Sequence, residues 1–174
     1  MRDSAMLLVG FAAALRRSEL VALQVADLSF HSRGLDIAIR RSKTDPHGRG
    51  ARLFVPYGQP RLCAVKALKQ WLSQTRIESG AVFRALDRHG SLRGEGLTGQ
   101  SVALIIKRLA ADVWGEEAAS GYSGHSLRAG FCTQAALLNW PGHWICRQSR
   151  HQSEAMLQRY IRPEAAVLPR RGVL

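Results

Sequence analysis

Leu28-Ser29-Phe30-His31-Ser32-Arg33-Gly34-Leu35-Asp36-Ile37-Ala38-Ile39-Arg40 is the stretch in which the hydrophobic period changes. Leu28 and Phe30 alternate with polar neighbours, and Leu35, Ile37 and Ile39 alternate with Asp36, Ala38 and Arg40. Further on, Leu53 and Val55 alternate with Arg52 and Phe54. Side chains two apart share one face of a strand, so the pattern predicts three short strands with one buried face. The turn-rich tip Asp45-Pro46-His47-Gly48 joins the last two as a hairpin. Three strands make a small antiparallel sheet that must lean on helices.

Both flanks have the helical period. Upstream, Leu8, Phe11 and Leu15 recur at i, i+3 and i+7 in a helix over 3–15. Ser18 reads as the N-cap of a second short helix running through Leu23, with Glu19 in its first turn. Downstream, Pro60 suits the first position of a helix whose face carries Leu62, Val65, Leu68 and Leu72 to about Gln74. A Gly- and Arg-rich loop covers 80–96. Thr98 opens a helix with Val102, Ile105, Leu109 and Val113 on its core face, broken by the glycines and serines of 120–124. Residues 125–138 carry the stripe Leu127, Phe131, Ala135, Leu138. Pro141 starts a short helix to about Gln148, and Ser153 caps another that carries Met156, Leu157 and Tyr160. Pro163 and Pro169 interrupt the tail, 161–174. No internal repeat occurs. The chain reads as one α+β domain, mainly α-helical, with one small three-stranded antiparallel sheet.

Its 174 residues, 46% hydrophobic and 22% charged, have an ordinary globular balance, which excludes wholesale disorder. No apolar run approaches the 18 or so residues a membrane-spanning helix needs. Lys plus Arg is 25 against 13 for Asp plus Glu, a net charge of +12, which points to polyanions and first to nucleic acid. Only Lys43, Lys66, Lys69 and Lys107 are lysines, and Arg is the better bidentate phosphate ligand. A G+C-rich coding sequence would give the same arginine excess, so charge alone does not decide. Cys63, Cys132 and Cys146 form no Cys-x-x-Cys and cannot all pair, so a reducing cytoplasm is the simplest compartment. A metal site from Cys132, His143, Cys146 and His151 has no common spacing. Arg2, the apolar run Ala5–Leu15 and the small residues Ala12–Ala14 have the outline of a secretory leader. Asp3 and the helical stripe speak for a core helix instead.

The chemistry gathers in five short motifs. His125-Ser126-Leu127-Arg128 puts a His and an Arg at i and i+3 on one face near a helix N-terminus, with Leu127 and Phe131 turned to the core. Alone the pair is weak, since chance gives roughly 0.7 His-x-x-Arg matches in such a chain. Tyr160 lies nine residues after His151 in Arg159-Tyr160-Ile161-Arg162, and cationic neighbours favour the phenolate that an attacking tyrosine needs. Leu15-Arg16-Arg17-Ser18-Glu19-Leu20 sets an Arg in the break between two helices. Ser42-Lys43-Thr44 sets a Lys where the second strand meets its turn. Each cation alone reads better as a solvated surface residue.

Taken in order, the set resembles the catalytic domain of the tyrosine recombinases, the phage-integrase family, from about Asp3 to about Pro163. That family carries an Arg in a pattern like Leu-Arg-x-Ser-Glu-Leu, a Lys on a β-hairpin, a His-x-Leu-Arg box, a Gly-His or similar dipeptide, and a nucleophilic Tyr nine residues later. The matching residues are Arg16, Lys43, His125, Arg128, His151 and Tyr160. Arg150 stands where the family usually has Gly, either tightening a turn or adding a phosphate contact. Arg49 or Arg52 could reach the site in place of Lys43. The resemblance implies that Tyr160 attacks a DNA phosphodiester, forming a 3′-phosphotyrosine and releasing a 5′-hydroxyl, without metal, cofactor or ATP. Arg16 and Arg128 would hold the non-bridging oxygens. His125 would accept the tyrosine proton or donate to phosphate. His151 would hydrogen-bond a non-bridging oxygen, and Lys43 would protonate the leaving oxygen. Glu19 is expected to anchor the cations from behind. Arg40, Arg41, Arg49, Arg150, Arg159 and Arg162, the cations beside these motifs, are expected to contact DNA.

The implied partners are double-stranded DNA and further copies of the chain, a tetramer on paired sites, in a bacterial, phage or mobile-element setting. The tail 161–174 is a candidate docking segment, with an apolar patch at Ala165–Leu168. The family's separate N-terminal DNA-binding domain is absent, so the chain is a truncated piece, a gene fragment or a natural single-domain member. Three other readings stand beside this one: a type IB topoisomerase-like enzyme, a basic DNA-binding remnant without catalysis, and a cationic protein for RNA or membrane surfaces. The spacing from His151 to Tyr160 favours the recombinase over the topoisomerase, and the complete residue set argues against a remnant.

Overall fold

The structure, a computed structural model, describes residues 1–40 and 50–161. In chain order the elements are α1 (Arg2–Ala12), α2 (Arg17–Ala22), a 3₁₀ turn (Val25–Asp27), β1 (Leu28–His31), β2 (Gly34–Ile39), β3 (Ala51–Pro56), α3 (Ala64–Thr75), β4 (Arg84–Leu86), β5 (Leu92–Gly96), α4 (Gly99–Trp114), α5 (Glu116–Ala119), α6 (Ser126–Leu137), α7 (Gly142–Ser149) and α8 (Glu154–Gln158). This is the α+β, mainly helical architecture that the periodicity predicts.

The three strands pair antiparallel in the order β1-β2-β3, with Leu28 opposite Ile37, Leu35 opposite Val55 and Ile37 opposite Leu53. Leu35, Ile37, Ile39, Leu53 and Val55 are all buried, so the alternation in the sequence is the inner face of the sheet. Gly34 lets β2 start against β3, because a Cβ there would run into the Val55 carbonyl. The inner face packs in one apolar core with Ala5, Met6 and Val9 of α1, Val65, Leu68 and Trp71 of α3, and Val102 and Ile106 of α4. Trp71 donates its indole N–H to the Val82 carbonyl at 2.8 Å, satisfying the polar atom it buries.

Several boundaries differ from the sequence reading. The N-cap of α2 is Arg16, not Ser18: its backbone N–H donates to Glu19 Oε2 at 2.8 Å, so Glu19 closes the cap two residues earlier. Pro60 lies in a turn before α3, which begins at Ala64 and leaves Leu62 exposed. The segment 80–96 is not all loop, since β4 and β5 pair there as a second, two-stranded sheet. On α4 the core position is Ile106 rather than Val113, which is 68% exposed, and on α6 Leu138 is exposed. Thr98 and Ser153 cap α4 and α8 as expected, accepting from Ser101 N and Met156 N. The hairpin tip Asp45–Gly48 and the tail beyond Ile161 lie outside the described residues.

A second, smaller apolar cluster holds Ala14, Phe131, Cys132, Ala135, Ile145 and Leu157, with Tyr160 packed at its edge. It ties α6, α7 and α8 to the end of α1. Ala14 has φ +47°, which turns the chain off α1 and leaves the last carbonyls of that helix without helical partners. Side chains of α6 and α7 take them. Gln148 donates to Ala12 O at 3.0 Å, and Arg128 Nη1 to Ala14 O at 2.9 Å. Arg150 reaches the Ala13 and Ala14 carbonyls at 3.4 and 3.3 Å. Cations at a helix C-terminus also meet the negative end of its dipole.

Candidate active site

The site is built on that junction, starting from Glu19. Burial by itself raises the Glu19 carboxyl; the charge of Arg150 and the hydrogen bonds and charge of Arg16 more than reverse this, and the group sits below the usual carboxylate range. Arg16 Nη1 donates to Glu19 Oε1 at 2.7 Å, and Arg150 Nη2 to Glu19 Oε2 at 2.5 Å. One buried carboxylate thus clamps two guanidiniums, one from the N-cap of α2 and one from the C-cap of α7.

Arg150 explains its own departure from Gly. It occupies the left-handed region, φ +58° and ψ +41°, at the end of α7, a conformation that glycine adopts without strain. Its side chain, which the sequence assigns to a turn or to a DNA contact, is 10% exposed. It is turned inward onto Glu19, the end of α1 and the Gln148 carbonyl. Burial pushes the guanidinium down, opposed by Glu19.

Arg128 is the most unusual group in the molecule. The side chain is 1% exposed, and burial, then the charges of Arg16 and Arg150, push it down to about 10. It stays a cation at neutral pH. Nη1 is bonded to Ala14 O, but Nε and Nη2 have no partner among the described residues. A buried unpaired donor costs about 1–3 kcal/mol, and more on a charged group. Arg150 Nε and His151 Nε2 are unpaired in the same way.

His151 is 9% exposed, with Nδ1 2.8 Å from Ser149 Oγ. Burial, and then the charges of Arg128, Arg16 and Arg150, push it down to about 4, so the ring is neutral at pH 7. The His151 and Tyr160 rings meet at 4.5 Å between centroids, and the Arg128 guanidinium lies 5.9 Å from the Tyr160 ring centroid. Thr133 of α6 donates to the Tyr160 carbonyl at 3.0 Å, which fixes the backbone of that residue.

Six of the sequence-predicted residues therefore converge: Arg16, Glu19, Arg128, Arg150, His151 and Tyr160. His125 does not share the burial of Arg128. It is the exposed N-cap of α6, and its N–H takes Ser123 Oγ at 3.2 Å. Arg159 is exposed beside Tyr160. Arg40 is exposed and holds Asp27 at 2.5 Å. Lys43, Arg41, Arg49 and Arg162 lie outside the described residues. Sequence reasoning missed Ser149, Thr133 and Gln148, whose partners are set by tertiary packing and leave no spacing signal.

A family model described as the phage integrase family matches residues 1–166. The chain belongs to the phage integrase family. It is 44% identical over 162 residues to an integrase/recombinase XerD homolog of Selenomonas ruminantium, covering 92% of this chain and 47% of that protein. The chain thus spans about half the length of the relative it matches. Among solved structures, XerH site-specific recombinase bound to a palindromic difH substrate aligns with TM-score 0.70 at 15% identity, over 91% of this chain and 41% of that one. The Tn1549 transposon integrase in complex with circular intermediate DNA aligns with TM-score 0.66 at 19% identity, over 91% and 54%. These likenesses give the fold, which is that of the tyrosine recombinase catalytic domain. Among the described residues, no helix is long and apolar enough to cross a membrane.

Proposed function

We propose that this chain is the catalytic domain of a site-specific DNA recombinase that cleaves and rejoins strands through a 3′-phosphotyrosine on Tyr160, and works in the cytoplasm of a bacterial cell. One observation carries the reading: Arg128 is a buried cation with two donors unspent, beside the Tyr160 ring. A phosphodiester supplies what those donors lack, two acceptor oxygens and a negative charge. Attack by the Tyr160 oxygen forms the O–P bond and builds charge on the non-bridging oxygens. Arg16 and Arg128 stabilise that charge. The P–O5′ bond then breaks, and the leaving oxygen takes a proton from Lys43 or from water. The bond energy is kept in the phosphotyrosine, so a second 5′-hydroxyl can reverse the step on new DNA.

Double-stranded DNA is the substrate in this reading, as in the XerH and Tn1549 complexes, and self-association on paired sites supplies the second strand. The shared fold and the converged site favour this over a basic remnant that only binds. A nicked suicide duplex, which loses its 5′-hydroxyl fragment on cleavage, tests it. A covalent protein–DNA adduct is expected from the wild-type chain and none from Tyr160→Phe at equal DNA binding. An adduct that persists in Tyr160→Phe would show a different nucleophile.

A further inference from the structure

Arg17 opens α2 directly after the Arg16 cap, and the two side chains part. Arg16 turns to Glu19. Arg17 lies in a slot between Gly99, the first residue of α4, and Gly124, which precedes the His125 cap of α6. A Cβ on Gly124 would run into Arg17 Cδ and stand 3.2 Å from Cγ and Nε. One on Gly99 would stand 3.1 Å from Nε and 3.4 Å from Cδ. Neither glycine has a left-handed backbone, so the slot uses the missing side chain and not the conformational freedom. The arginine is exposed, and its guanidinium has no hydrogen bond or ion pair among the described residues. The slot also holds this cation against the N-terminal ends of two helices, each of which carries about half a positive charge there.

We propose that Arg17 is a DNA-contact residue: the two glycines seat its stem so that the guanidinium meets a backbone phosphate of duplex DNA flanking the scissile one. This rests on the reading of double-stranded DNA as substrate. A phosphate supplies the acceptor oxygens and the negative charge that the guanidinium and the two helix ends lack. Its place follows from the chain. The preceding residue, Arg16, is given to the scissile phosphate in that reading, and Gly124 leads into the His125-Ser126-Leu127-Arg128 box. A long side chain loses rotamer freedom when it binds, and a stem already seated between two helices has less to lose. The slot therefore sets the strength of a contact that reads no base.

Fluorescence anisotropy of a short labelled duplex, titrated with the full chain over a series of salt concentrations, reads the contact without any cleavage. Arg17→Gln should lower affinity about 5–10-fold near 0.1 M salt and reduce the salt slope by about 0.9, the share of one neutralised phosphate. Arg17→Lys, which keeps a cation on a stem of similar length, should keep the slope. Gly124→Ala adds a methyl where the flexible Arg17 stem stands in the way, so the fold survives and the arginine is displaced. It should lower affinity about 3-fold, the order of cost of ordering one long side chain anew. Arg17→Gln combined with Gly124→Ala should bind no more weakly than Arg17→Gln alone, since both act on one contact. An unchanged slope in Arg17→Gln overturns the proposal. Wild-type affinity in Gly124→Ala overturns it too, and so do losses that multiply in the double variant, because Gly124 would then act apart from Arg17. Salt-independent binding by the wild-type chain would overturn the DNA reading itself.

Discussion

Ile37 in the sheet and Arg128 in α6 are equally sealed from solvent, and their surroundings are opposite in kind. Ile37 belongs to an apolar core drawn from α1, α3 and α4 as well as the strands. Burial there removes apolar area from water, at roughly 25 cal/mol for each Å². Around Arg128 the molecule gathers two more guanidiniums, a single carboxylate and a neutral imidazole. That second region costs free energy to assemble, because charges lose hydration and buried guanidinium donors have no partner among the described residues. The first region holds the fold, and the second gathers cationic donors at a cost to it.

Substitutions in the two regions should therefore fail in different ways. Ile37→Ala should destabilise the chain by about 2–5 kcal/mol, read by chemical denaturation, with the cleavage rate of the folded fraction little changed. Arg128→Met keeps the volume and removes the charge. It should leave stability equal or higher and lower the rate of adduct formation by about 10²–10³. A Met variant that unfolds while cleaving normally when folded would reverse the assignment of the two regions.

The regions differ as well in what was legible from sequence. Leu35, Ile37 and Ile39 declare the sheet because burial on one face selects every second residue. The hairpin of β4 and β5 declares nothing: Arg84–Leu86 is short and half-buried, and Leu92–Gly96 carries two glycines. Ser18 is a good N-cap in isolation, but Glu19 closes on the Arg16 backbone and moves the start of α2. In the site, residue types and order were enough to pick out Arg16, Arg128, His151 and Tyr160. The carbonyls of Ala12–Ala14 that seat Gln148, Arg128 and Arg150 belong to the backbone and carry no side-chain signature. The inward turn of Arg150 depends on the same backbone, so it could not be read from the residue before His151.

The acid response sharpens the contrast. His151 has a folded value of about 4 against 6.5 for the free side chain, so the unfolded chain binds its proton first. Its contribution to stability is complete above about 6.5 and is lost as pH falls toward 4. Thermal denaturation across that window should fall more steeply for the wild-type chain than for His151→Gln. Equal slopes would mean that the ring is not held neutral by burial and the cations around it.

The smallest effect is expected at Arg150. Arg150→Gly relieves the left-handed backbone, worth about 1 kcal/mol, and removes one of the two cations on Glu19. The two changes oppose, so net stability should move by less than about 2 kcal/mol in denaturant titration. With one facing cation gone, the acid limb of His151 should also move to higher pH.

The most direct measurement is the single-turnover cleavage rate of a duplex with sulfur at the 5′ bridging position. Sulfur leaves as a thiolate and needs little protonation, so it bypasses a missing acid and nothing else. It should restore Lys43→Ala to near the wild-type rate, recovering the roughly 10²–10⁴ that a general acid contributes. It should leave Arg128→Met as slow as on the ordinary duplex, because the proposed reaction gives the unspent donors of Arg128 to the non-bridging oxygens. Rescue of Arg128→Met by sulfur would place that guanidinium at the leaving oxygen and contradict the site described here.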